Sequence, residues 1–148
     1  MNDQQRTESL GDYASVLMLP AHPMSVRVGR DVMRAWLQFV PHRYDDATVL
    51  LMVTELVANA VDYSSGPLVL TVSADASGLM RVEVEDASPG DGLPTARSVD
   101  RISDVSRQLK MIRGLADRWG AELRLTDHES ATRLVWFECS PVAGDAEE

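Results

Sequence analysis

From Ala47 to Val61 every position is apolar except Thr48, Thr54, Glu55 and Asn59. A segment of this kind, if helical, is apolar nearly all round and has to be enclosed by other elements of its own domain. It does not qualify as a membrane span, which takes roughly 18 to 20 uninterrupted apolar residues, because Glu55 and Asn59 break the run. The rest of the fold must therefore be arranged to cover it. A carboxylate and an amide placed in its middle cost stability unless something satisfies them. Their i, i+4 spacing puts both on one side of the helix, and Asp62 or Tyr63 extends that stripe by a further turn.

The chain of 148 residues fits one domain, and a domain of that size buries roughly 70% of its extended-chain surface. Residues 1–12 and the tail 140–148 are polar or small and are expected to be flexible. Between them the domain spans 13–139. Tyr13 to Leu19 reads as a strand ended by Pro20. From Val28 the apolar residues Val32, Ala35, Trp36 and Phe39 fall at helical spacing, with Pro23 just before the start and Pro41 closing the element. Asp45 can cap the second helix, which the Ser64 to Pro67 cluster stops.

Two strands follow, Leu68 to Ala74 and one from Met80, with Asp75 to Gly78 as the turn. In the second of them Met80, Val82 and Val84 alternate with Arg81, Glu83 and Glu85, so Asp86 comes next on the apolar, inward face. Residues 87–103 are too rich in Pro, Gly and polar side chains for a regular element, and long loops of this type inside compact domains are functional or disordered. Leu109, Ile112, Ala116 and Trp119 predict a third helix with Gly120 at its C′ position. Strands at about Glu122 to Thr126 and Thr132 to Cys139 complete the pattern. The three tryptophans, Trp36, Trp119 and Trp136, are read as packing. Helices on one side of a mixed, mostly antiparallel sheet make a two-layer α/β sandwich of the α+β kind.

The formal net charge of −9 argues against direct binding to nucleic acid or to an anionic membrane. Cys139, the single cysteine, allows no intrachain disulfide, fits a reducing compartment and reads as packing. No basic segment followed by an apolar one opens the chain. A cytoplasmic location is expected. His22, His42 and His128 stand at no metal-ligating spacing, and neither a G-x-S-x-G elbow nor a P-loop occurs.

Glu55 and Asn59 suit Mg²⁺ and phosphate chemistry: Asn offers a hard carbonyl ligand, and Glu can orient or deprotonate an attacking hydroxyl. The competing reading is a solvated Glu55 at the helix edge and an Asn59 that caps a neighbouring loop. Asp86, inward at a strand end, is placed to accept a hydrogen bond from a group such as an adenine amino; its competing reading is an Asx-turn or cap. Arg97, Arg101, Arg107, Lys110 and Arg113 put basic residues through the long loop and the start of the third helix. They serve phosphate or an acidic partner, or form an ordinary solvated face.

ELVANAV, VEVEDASPG, LADRWG and LVWFE, in that order and at these separations, resemble the anti-sigma-factor serine kinase family of the GHKL, histidine-kinase-like ATPase superfamily, in its actinobacterial type. The likeness covers about Tyr13 to Cys139. It implies a Bergerat-type ATP-binding fold, with Glu55 as general base, Asn59 as Mg²⁺ ligand, Asp86 as the adenine-amino contact and 87–103 as a lid over the phosphates. It further implies Mg²⁺ and ATP as cofactors, a homodimer, and a sigma factor or an anti-sigma-factor antagonist phosphorylated on serine as partner. The departures are specific. Ser88 stands where the family commonly has glycine, with Gly90 and Gly92 following. The second glycine box falls on Ser106 and Gln108, flanking Arg107, and position 63 is Tyr where many relatives have His. Side chains there can obstruct the approach of backbone amides to a triphosphate. That leaves open a pseudokinase module that keeps the fold and a partner surface without nucleotide.

Overall fold

The computed structural model describes residues 13–87, 109–125 and 131–143. Their order is β1 (Tyr13–Leu19), α1 (Met24–Phe39), α2 (Asp46–Tyr63), β2 (Leu68–Ala74), β3 (Met80–Ala87), α3 (Lys110–Leu115), β4 (Arg118–Leu125) and β5 (Ala131–Cys139). The five strands form one sheet in the order β1-β2-β3-β5-β4. Every pairing among the described residues is antiparallel, so the sheet is not mixed as expected.

Local chemistry sets the element ends. Asp45 caps α2, its carboxylate accepting the Thr48 N–H at 3.3 Å. The β2–β3 turn is organised by Asp75, whose carboxylate accepts the Ser77 and Leu79 N–H groups at 2.9 and 3.0 Å, while Gly78 takes a φ of +90°. The Tyr44 hydroxyl donates to the Gly78 carbonyl at 2.7 Å, which ties the α1–α2 connection to this turn. Burial pushes that phenol up to about 12.

The period-two pattern of the strands aims Leu68, Leu70, Val72, Met80, Val82, Val84, Val135 and Phe137 at one face, where all are buried. They share a single core cluster with Met33 and Trp36 of α1 and with Met52, Val53, Leu56 and Val57 of α2. The nearly all-apolar helix is not enclosed all round as expected: it packs one face into this core and leaves Leu51 50% exposed. Cys139 is half-buried against the same cluster, and burial raises its thiol to about 12, which removes it as a nucleophile near neutral pH.

The opposite face of the sheet is closed by its own ion pairs. Arg81 reaches Glu83 and Glu138, Arg118 reaches Glu138, and Arg124 joins Glu85 to Glu122. Trp136 belongs to this face and not to the core, with the Arg81 guanidinium 4.0 Å from its ring centroid.

The third helix departs most from expectation. It covers only Lys110–Leu115, Ala116 is its C-cap, and Trp119 and Gly120 lie in β4. Asp117 is the reason. Its N–H donates to the Glu138 carbonyl at 2.9 Å and its carboxylate accepts the Ser140 N–H at 2.7 Å, which redirects the chain onto β5. Gly120 is thus a strand glycine opposite Trp136, and a Cβ built there would come within 2.7 Å of the indole. Gly120→Val is expected to lower the unfolding free energy by about 1–3 kcal/mol through overpacking, read as an earlier urea midpoint with altered tryptophan emission. An unchanged midpoint would show that the indole moves aside freely.

Candidate functional site

The stripe on α2 opens into a cavity of about 410 Å³ lined by Glu55, Ala58, Asn59, Asp62, Tyr63 and Leu109. Helical spacing explains the set: one turn separates Glu55 from Asn59, and a further turn reaches Asp62 and Tyr63. Leu109, at the entry to α3, supplies an apolar wall and is fully buried. Asn59 is buried at 7% exposure. Glu55 is half-buried, and its Oε2 atom is buried with no hydrogen-bond partner among the described residues. Glu55 is therefore not the solvated edge residue of the competing reading. A desolvated carboxylate oxygen without a partner costs on the order of 1–3 kcal/mol, and such a cost is typical of groups held ready for a ligand.

Asp86 occupies the inward position that strand parity gives it and is 1% exposed. Its carboxylate does not make the Asx-turn or cap of the competing reading. Directly opposite in the ladder stands Arg133 of β5, also buried. The Arg133 Nε–H and Nη2–H both donate to Asp86 Oδ2, at 3.1 and 2.7 Å. Asp86 Oδ1 and Arg133 Nη1 are buried without hydrogen-bond partners among the described residues. The guanidinium lies over Tyr63, its Cζ 4.5 Å from the ring centroid. Tyr63 thus links the two parts of the site, since it lines the Glu55 cavity and covers Arg133. Asp86 itself is not on the cavity wall. Burial raises its carboxyl above the ordinary range, and the Arg133 guanidinium opposes that push.

The structure therefore brings Glu55, Asn59, Asp62 and Tyr63 together and sets Asp86 behind them under an arginine. Ser88, Gly90, Ser106, Arg107 and Gln108 lie outside the described residues, as do Arg97, Arg101 and all of the expected lid after Ala87. Lys110 and Arg113 are exposed and, with Gly114 and Trp119, line a second hollow of about 690 Å³.

Among the described residues no group of three or more His, Cys, Asp or Glu is placed to hold a metal ion. The Glu55, Asn59 and Asp62 side chains still offer the hard oxygens that Mg²⁺ takes when phosphates and water complete its shell.

Arg133 was not visible as a site residue from the motifs. A signal existed, however: in Thr132 to Cys139 the alternation places Arg133 with Val135, Phe137 and Cys139, so an arginine on the core face was predictable from parity and demanded an acid. No helix among the described residues is long and apolar enough to cross a membrane. Compared with models of known protein families the sequence matches none, and among curated proteins none matches it.

Proposed function

We propose that the protein is an ATP-binding regulator of the anti-sigma type, which binds a sigma factor or phosphorylates an anti-sigma-factor antagonist on serine, as a cytoplasmic homodimer with a Bergerat-type ATP-binding fold. The observation that carries this reading is the convergence of Glu55 and Asn59 on one cavity, with a buried Glu55 oxygen that nothing else among the described residues engages. In this reading Glu55 accepts the proton of the attacking serine hydroxyl. Asn59 would hold Mg²⁺, which supplies charge neutralisation at the phosphates.

A second reading is the pseudokinase, a partner-binding module without nucleotide. It is favoured by one observation, the engagement of Asp86 by Arg133.

Calorimetric titration with ATP, with and without Mg²⁺, separates the two. The expected result is Mg²⁺-dependent binding that Asn59→Ala weakens at least tenfold. Absence of heat at near-millimolar ATP, from protein shown to be folded, would leave the pseudokinase.

A further inference from the structure

We infer that Arg133 is an internal occupant of the base end of this site, so that a purine reaches Asp86 only by displacing the arginine and the Tyr63 ring that covers it. The inference rests on the nucleotide reading just given. An aminopurine held by a carboxylate is a flat group that presents N–H donors in its own plane and stacks on a neighbouring side chain. The Arg133 guanidinium has each of these properties here: it is planar, gives two N–H bonds to Asp86 Oδ2, and lies over Tyr63. Asp86 is 1% exposed and Arg133 is 3% exposed, so a base cannot use the remaining Asp86 oxygen while both stay in place. Among the described residues Tyr63 both lines the Glu55 cavity and lies against Arg133.

Charge-assisted bonds of this kind are among the stronger hydrogen bonds in proteins. The state with Arg133 withdrawn is therefore a minor one, and the apparent affinity for a base falls by the fraction of molecules in it. The free protein in this way sets its own threshold for nucleotide. A partner that drew Arg133 or Tyr63 away would lower that threshold.

The test is titration of adenosine and of Mg·ATP into the wild type, Arg133→Met and Arg133→Lys, each checked by circular dichroism and thermal melting. Methionine keeps length and apolar bulk but gives Asp86 no donor. Arg133→Met should bind both ligands at least tenfold tighter than wild type and by the same factor for each, because the arginine acts at the base. Adding Asp86→Leu should remove the gain. If Arg133→Met does not fold, Arg133→Lys, which keeps the charge without the planar fork, should still gain about threefold. Equal or weaker binding by the folded variants overturns the inference, as does a gain for Mg·ATP without one for adenosine. Binding of Mg·ATP by the wild type with no gain in either variant would sink the inference alone and leave the proposed function standing. Absence of binding by all three proteins would end both.

Discussion

Asp86→Ala should lower the unfolding free energy by about 3–5 kcal/mol, the cost of leaving one member of a buried ion pair without its partner. The arginine is 3% exposed and both of its bonded N–H groups depend on Asp86 Oδ2. It cannot shed its charge, because a guanidinium stays protonated throughout the accessible pH range. The reverse change, Arg133→Met, should cost less, since the stranded carboxyl can take up a proton. Burial already raises Asp86 with the guanidinium opposing it, and without Arg133 the rise is larger. The pH dependence then has a definite sign. A carboxyl with a folded pKa above its unfolded value near 3.9 is bound to more protons in the native state, so stability falls as pH rises from there through the folded pKa. Arg133→Met should therefore lose stability from pH 4 to pH 7 relative to wild type, whereas the Asp86→Ala deficit should shrink over that range, because the wild type loses the contribution of its raised Asp86 carboxyl and the variant has none to lose. Asp86→Leu combined with Arg133→Met should recover most of the loss. Urea unfolding of the four proteins at both pH values decides it, and a double mutant no more stable than Asp86→Ala would show that the pair does more than neutralise itself.

That pair also marks where reading from sequence stopped. Two strands were legible to the residue: β1 at Tyr13–Leu19, ended by Pro20, and β2 at Leu68–Ala74, with its two-residue alternation, match their expected limits. The same parity placed Asp86 inward, and α2 with its Asp45 cap followed from apolar content and capping chemistry. The segment after Leu109 failed because two periods fit it. Leu109, Ile112, Ala116 and Trp119 satisfy a helix, while Trp119, Ala121 and Leu123 alternating with Arg118, Gly120 and Glu122 satisfy a strand. The decision lies in the long-range bonds of Asp117 to Glu138 and Ser140, which no local window contains. Arg133 was missed for a related reason. Its meaning depends on the β3–β5 register that sets it opposite Asp86, and register between strands this far apart in sequence is a tertiary fact.

On the proposed kinase reading, Glu55→Gln should reduce phosphate transfer to a serine acceptor by about 10²–10⁴-fold, the usual share of a positioned general base, with ATP affinity within about threefold of wild type. The amide keeps the shape of the carboxylate and cannot accept the hydroxyl proton. The structure adds a second expectation that needs no knowledge of the acceptor. Glu55 Oε2 is buried without a hydrogen-bond partner among the described residues, on a helix that packs one face into the core. A group kept there for function is a burden on the fold, and replacing it with apolar atoms that fill the same space should stabilise the protein by about 0.5–2 kcal/mol, the usual yield of a space-filling change. Glu55→Met, which fills the same space with apolar atoms, should show this gain as a later urea midpoint. The two measurements constrain each other. Loss of transfer together with gain of stability is the signature of a residue placed for chemistry. Loss of stability in Glu55→Met would mean that Glu55 holds the cavity together, and a fall in transfer would then be evidence of damage to the site and not of a missing base.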